Sequence, residues 1–251
     1  MKHTAHFWVA GALLLGACVA PSSQHNADAQ PAFRVLVFSR TLGYRHDSIP
    51  EGIAAIKALG AEHGFAVTAT EDPTYFQPDT LAQFAVVVFL NTSGDVLDTL
   101  AQEAFKAYIE GGGGYVGVHA ASDTEYDWPW YGQLVGAYFE SHPHIQEAVV
   151  RVVDRTHPST QHLPEAWART DEWYNFHASP RLHNVHVLAV LDETTYEGGK
   201  MGEDHPIAWY HTVGEGRAWY TAMGHTKESY AEPLFRQHLL GGILWAARRA
   251  D

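Results

Sequence analysis

Cysteine is nearly absent from this chain: Cys18 is the only one among 251 residues. A lone thiol forms no intramolecular disulfide, and zinc sites built on several cysteines are excluded with it. Since Cys18 belongs to the amino-terminal segment, residues 19–251 contain no thiol that could serve as a catalytic nucleophile. The chemistry of the main part of the chain must therefore come from other side chains.

Positive charge is also scarce, with 16 Lys and Arg against 29 Asp and Glu and a formal net charge of -13. Nucleic-acid affinity rests largely on the neutralisation of phosphates, so this balance argues against a nucleic-acid partner. It suits a small neutral ligand such as a carbohydrate. The 8 Trp and 12 Tyr supply flat apolar faces with a polar edge, which pack against sugar rings as well as in a core.

Long hydrophobic runs are missing too, and the apolar stretch at residues 7–15 is too short to span a bilayer. It follows Lys2 and precedes Leu15-Gly-Ala-Cys18, an order typical of a signal peptide that ends in a lipobox. We predict that residues 1–17 are a lipoprotein signal peptide and that Cys18 carries the lipid. An ordinary secretory signal that happens to contain a cysteine is the alternative.

Residues 18–32 are polar, contain proline and have no periodicity, so we predict a lipid-anchored flexible tether. Acyl chains bind membranes by burying CH₂ groups, which would hold the exported protein at the periplasmic face, the outer membrane or the cell surface. Residues 33–251 are predicted to form one domain. The expected partners are a small carbohydrate and, through the lipid, a membrane, and oligomer formation is left open.

The order of apolar and amphipathic segments predicts the fold class. Short apolar runs alternate with segments of helical periodicity, which is typical of a doubly wound α/β sheet with mostly parallel strands. An added antiparallel hairpin is predicted around Gly214. The predicted strands are residues 33–39, 65–70, 85–90, 115–119, 148–154, 185–192, 207–213 and 217–223, and the predicted helices are 49–63, 98–110 and 230–249.

A glycine-rich string at residues 112–117 matches GxGxxG but is not predicted to bind phosphate. In dinucleotide-binding proteins this string follows a strand and opens a helix. Here the glycines precede the predicted strand, and we interpret them as the stop of a helix.

Five segments carry a resemblance to a known family. The longest, residues 115–143, reads YVGVHAASDTEYDWPWYGQLVGAYFESHP, and the others are residues 171–176, 205–209, 216–226 and 235–246. Over about residues 33–248 the chain resembles the ThuA-like, or trehalose-utilisation, family. This resemblance implies the class I glutamine-amidotransferase-like fold, which is flavodoxin-like, and a role in carbohydrate metabolism.

One departure from the amidotransferases of that fold limits the chemistry. Those enzymes place a nucleophilic cysteine on a tight turn after a strand, where the resemblance puts His119, with His225 as the partner histidine. An imidazole cannot form the thioester of glutamine hydrolysis, and no GxSxG motif offers a serine instead. The protein is therefore predicted not to be a glutamine amidotransferase.

In an open α/β sheet, ligands bind beyond the carboxyl ends of the strands, so the polar residues that follow the predicted strands form the candidate site. Several are imidazoles and carboxylates, which suit a divalent ion of the Zn or Mn type. No compact motif such as HExxH is present, and the site depends on the fold to bring distant segments together. The predicted metal ligands are His46, His119, Glu140, His142 and His225.

We predict that His119, Asp123 and His225 are catalytic, with Asp171 as an alternative to Asp123 for proton transfer. The metal would polarise a carbonyl or a pair of hydroxyls of the substrate, and aromatic side chains would hold the sugar ring. The predicted substrate-binding residues are Arg45, Trp128, Trp130, Tyr131, Trp173 and Tyr174.

These observations predict an exported protein of carbohydrate metabolism and favour a metal-dependent hydrolase or lyase that acts on a sugar or keto-glycoside. The association with trehalose follows from the family resemblance alone. The alternative is a non-catalytic sugar-binding or scaffold lipoprotein, which would bind a sugar without turnover and retain its affinity in the presence of a chelator.

Overall fold

The structure is a computed structural model that describes residues 1–4 and 31–251. Cys18 and the lipobox lie outside the described residues, as do nearly all of the predicted signal peptide and tether. Residues 31–251 form one compact unit. Within the described residues, no helix has both the length and the apolar character needed to cross a membrane.

Eleven strands and five α-helices are found in residues 31–251. All the predicted strands and helices are present, and their ends differ from the predicted ones by at most three residues. In chain order the elements are β1 (Arg34–Phe38), α1 (Ile49–His63), β2 (Ala66–Thr70), α2 (Pro78–Leu81), β3 (Val86–Leu90), α3 (Thr99–Glu110), β4 (Gly114–Val118), α4 (Pro129–Val135), β5 (Phe139–Ser141), β6 (Gln146–Val152), β7 (Ala166–Asp171), β8 (Asn175–Phe176), β9 (His186–Asp192), β10 (Pro206–Val213), β11 (Gly216–Thr221) and α5 (Pro233–Ala246).

Nine strands form one mixed sheet in the order β2-β1-β3-β4-β11-β10-β9-β6-β7. The strands from β2 to β11 are parallel, whereas each neighbouring pair from β11 to β7 is antiparallel. The small strands β5 and β8 pair separately. This architecture confirms the predicted α/β class, and the predicted hairpin is the start of a longer antiparallel extension.

β7 is a strand that the sequence pattern does not predict. Its side chains alternate between exposed and buried, but two of the buried ones are Arg169 and Asp171. Charged residues on the buried face remove the apolar–polar alternation by which a half-buried strand is recognised. Their burial is compensated because Arg169 Nη1 lies 3.2 Å from Asp171 Oδ2.

Candidate metal centre

His119 occupies a sharp turn at the end of β4. Its φ of 49° is a left-handed backbone conformation that is uncommon for residues other than glycine. The side chain is fully buried, and Nδ1 lies 2.7 Å from the carbonyl oxygen of Ala222. Since a carbonyl oxygen only accepts hydrogen bonds, Nδ1 carries the ring proton and Nε2 is left as an acceptor.

Two further histidines reach the same place from other strand ends. His225 follows β11, and its Nδ1 lies 3.2 Å from His119 Nε2. His46 lies between β1 and α1, and its ring centroid is 4.9 Å from those of both His119 and His225. The three imidazoles therefore meet at the carboxyl edge of the parallel strands.

Glu172 completes this group from the end of β7. Its Oε2 lies 3.0 Å from His225 Nδ1 and 3.4 Å from His119 Nε2, and its side chain is 9% exposed. One nitrogen or oxygen from each of His46, His119, Glu172 and His225 lies within 4.8 Å of the others. These four residues are called the histidine–glutamate cluster below.

Burial and mutual proximity set the charges in the cluster. Burial is the main cause that lowers the pKa of His46 to about 2, and the neighbouring His119 and His225 act in the same direction. This imidazole therefore stays neutral. Burial acts against ionisation of Glu172, but the neighbouring imidazoles of His119 and His225 outweigh it and hold the carboxyl pKa well below its usual range. For His225, burial is outweighed by the hydrogen bond and charge of Glu172, and the pKa is raised.

The donor atoms of the cluster fit a divalent metal ion. Metals bind neutral imidazoles and ionised carboxylates, and a set of three imidazoles and one carboxylate suits Zn²⁺ or Mn²⁺. His46 Nδ1 is buried and has no hydrogen-bond partner within the described residues, whereas buried polar atoms are ordinarily satisfied. The Ala222 carbonyl orients His119 in the way that an outer partner fixes a metal-binding histidine.

The cluster borders a cleft of about 240 Å³. Asp123 faces this cleft, burial raises the pKa of its carboxyl group, and the hydroxyl of Tyr126 donates to its Oδ1 at 2.9 Å. Tyr174 packs on His119 with ring centroids 4.0 Å apart. The cleft is lined by Tyr44, His46, Asp123, Phe139, His142, Glu172, Tyr174 and His225.

The structure brings together three of the five predicted metal ligands, His46, His119 and His225. His142 lies at the cleft but outside the cluster; its side chain is 42% exposed, and its Nδ1 is 3.1 Å from Glu172 Oε1. His142 therefore contacts the carboxylate of Glu172 but is not one of the four residues of the cluster.

Glu140 does not belong to the cluster. Its side chain is 37% exposed in β5, and its Oε2 pairs with Lys200 Nζ at 3.2 Å. Glu172 is the carboxylate of the cluster, and the sequence did not place it among the metal ligands because the strand that ends beside it was not predicted. The one available signal was that residues 171–176 belong to the segments that carry the family resemblance.

Tyr174 is the one predicted substrate-binding residue that lines the cleft. The other five do not line the cleft: Arg45 pairs with Glu71, Trp130 donates to Glu110, Trp128 packs against the core, and Tyr131 and Trp173 are fully buried. Large aromatic rings stabilise the core by the area they bury, and their sequence position does not reveal which of them face a ligand. Tyr44 and Phe139 line the cleft instead.

Similarity to known proteins identifies the family of the chain that contains this site. The ThuA family model, described as trehalose utilisation, matches residues 34–246. A solved structure described as ThuA-like from Bacteroides uniformis ATCC 8492 is 26% identical with a TM-score of 0.76, over 94% of this chain and 97% of that one. A second, from Parabacteroides merdae ATCC 43184, is 22% identical with a TM-score of 0.72, over 86% and 90% of the two chains, and shows the fold alone. No curated protein is significantly similar to the chain.

Proposed function

Because the chain belongs to the ThuA family, whose description is trehalose utilisation, we propose that it is a metal-assisted enzyme of carbohydrate metabolism that acts on a sugar or keto-glycoside. The observation that carries this proposal is the histidine–glutamate cluster at the wall of the cleft. Cleavage of a glycosidic bond or of a keto-sugar needs a polarised oxygen and a proton carrier. The cleft contains side chains for both tasks.

The four residues of the cluster would hold the ion. A bound divalent ion would supply a Lewis acid that polarises a carbonyl or a pair of hydroxyls of the substrate. The carbonyl of Ala222 keeps His119 Nε2 directed into the cluster. His142 Nδ1, which is hydrogen-bonded to the carbonyl oxygen of Pro143, lies 3.1 Å from Glu172 Oε1 on the cleft side.

We assign proton transfer to Asp123, which lines the cleft beside the cluster. Its raised pKa, caused by burial, lets the carboxyl group hold a proton at a higher pH than an exposed aspartate. Tyr126 fixes the orientation of that group through its hydroxyl. Phe139 and the exposed Tyr44 offer apolar surfaces against which a sugar ring can pack.

Removal of the metal should abolish turnover, and return of the metal should restore it. Purified protein is analysed for metal and then incubated with trehalose and with a keto-disaccharide made by oxidising one ring hydroxyl of trehalose. We expect a bound divalent ion, product from one of these sugars, loss of product after dialysis against a chelator, and recovery when Zn²⁺ or Mn²⁺ is restored. Turnover that survives complete removal of metal would overturn the metal-assisted mechanism.

A non-catalytic sugar-binding or scaffold lipoprotein is the second candidate, because the aromatic lining of the cleft also suits binding alone. Titration with trehalose distinguishes the two functions. Saturable binding with no product, and with an affinity that the chelator leaves unchanged, would favour the binding protein over the enzyme.

We also propose that the protein is exported and held at a membrane by a lipid on Cys18, on the strength of the lipobox at residues 15–18. In a bacterial host, Cys18→Ser should move the protein from the membrane pellet to the soluble fraction and abolish incorporation of labelled palmitate, because the lipid is attached through the thiol. Ser22→Ala, in the same segment, should behave as the wild type. A Cys18→Ser protein that stays in the pellet would contradict lipid anchoring.

A further inference from the structure

Asp171 is a fully buried carboxylate that the proposed chemistry does not use. Its Oδ1 accepts hydrogen bonds from the backbone N–H groups of Glu172 at 3.0 Å and His225 at 3.1 Å. Its Oδ2 accepts from the N–H of Gly224 at 2.9 Å and from Ser229 Oγ at 3.2 Å. Because both oxygens are occupied and Asp171 does not line the cleft, the prediction that it transfers a proton is corrected.

These hydrogen bonds join two segments that are distant in the sheet. Glu172 follows the edge strand β7, whereas His225 follows β11, and three strands lie between β11 and β7. A single carboxylate nevertheless binds the backbone of both residues. The separation of Glu172 Oε2 and His225 Nδ1, 3.0 Å, is therefore set by segments that Asp171 fastens together.

Arg169 in turn fixes Asp171. Its Nη1 lies 3.2 Å from Asp171 Oδ2, and its Nη2 donates to Ser229 Oγ at 2.8 Å and lies 3.2 Å from Glu232 Oε2. The guanidinium also lies over the ring of Phe235, 4.9 Å from its centroid. The guanidinium therefore restrains the Asp171 carboxylate by its charge and through Ser229, whose Oγ accepts from Arg169 and donates to Asp171.

From this network we propose that Asp171 is a positioning residue, which sets the separation of Glu172 and His225 and thereby the affinity of the cluster for a divalent ion. The inference rests on the proposed metal site. Ligands in a functional site must be held to within about 0.5 Å, and the loss of a group that orients metal ligands typically lowers affinity about 10–100-fold. Asp171 acts on the two ligands through their backbone and touches no substrate.

The test is equilibrium binding of Zn²⁺ and Co²⁺ to the full-length protein and to its Asp171→Asn variant. The asparagine side chain has the same shape as that of Asp171, but it carries no negative charge and has an NH₂ group in place of one of the two accepting oxygens. We expect the affinity to fall about 10–100-fold and the visible absorption of bound Co²⁺ to change. Ser229→Ala removes one hydrogen bond to Asp171 and should weaken binding roughly 3-fold without unfolding the protein.

A control separates positioning from lost stability. Leu163→Ala removes a buried core side chain outside this network and should lower the thermal midpoint while leaving metal affinity and the Co²⁺ spectrum unchanged. If Asp171→Asn does not fold, Ser229→Ala decides, and an unchanged affinity and spectrum count against the inference. If the wild type binds metal and both variants bind it with the same affinity, the positioning role of Asp171 is overturned and the proposed metal site stands. If the wild type binds no metal, the proposed metal site is overturned and this inference with it.

Discussion

Glu172→Gln should abolish the proposed binding of a divalent ion, whereas Glu140→Gln should leave it unchanged. The Glu172 carboxylate lies within hydrogen-bond distance of two imidazoles of the cluster, and its replacement removes the negative charge that would face the cation. Glu140 pairs instead with Lys200 at the surface. Since groups that only orient ligands change affinity about 10–100-fold, we expect loss of a direct ligand to cost more than about 100-fold.

The two glutamate variants are a matched pair, because each replaces a carboxylate with an amide of the same size. Metal content after purification and equilibrium dialysis against Zn²⁺ measure the difference, and circular dichroism verifies that both variants are folded. Equal affinity in the two variants, or loss of metal in Glu140→Gln alone, would be incompatible with the histidine–glutamate cluster as the binding site.

The protein should lose stability steeply as the pH falls from about 6.5 to 4, because His238 is buried in its neutral form. Burial lowers the pKa of His238 to about 3, and its Nδ1 lies 2.8 Å from the carbonyl oxygen of Ser159. Below a pH of about 6.5 the unfolded chain gains a proton that the folded protein does not. At about 1.4 kcal/mol per pH unit, this residue alone should cost about 3 kcal/mol by pH 4.

Denaturant unfolding at a series of pH values measures this effect. His238→Gln keeps a hydrogen-bonding side chain but cannot take up a proton. Its free energy of unfolding should therefore fall less steeply as the pH is lowered, and the difference in slope should correspond to the uptake of about one proton. The exposed His63→Gln is the matched control and should keep the wild-type slope. His157, whose pKa burial lowers to about 4, adds to the slope with the same sign. A His238→Gln slope equal to that of the wild type would show that this residue titrates normally in the folded protein.

The parallel half of the fold was predictable because its signals are local. Residues 86–90 are an unbroken apolar run and are all buried, as expected for a central parallel strand. The α1 helix has Pro50 in its first turn and is followed by Gly64, which adopts the left-handed φ of 77° that ends many helices. Each of these signals acts over a few residues and needs no knowledge of distant segments.

The histidines of the cluster were predictable for a related reason. His119 and His225 follow β4 and β11, two strands that are parallel neighbours, so their carboxyl ends coincide at one edge of the sheet. Glu172 follows no parallel strand. Its strand is the antiparallel edge of the sheet, and the adjacent Asp171 accepts a hydrogen bond from the backbone of His225 and pairs with Arg169, contacts that no sequence pattern records.

The sequence by itself determined the absence of thiol chemistry, the family resemblance, the α/β class and the histidines at the strand ends, because composition and short-range periodicity are properties of neighbouring residues. Only the tertiary structure decided that Glu172 and not Glu140 joins the histidines, and that Tyr44 and Phe139 line the cleft while Tyr131 and Trp173 are buried. Those choices depend on where the end of β7 lies relative to the other strand ends and on which rings the core covers. Both are set by contacts between residues that are far apart in the chain.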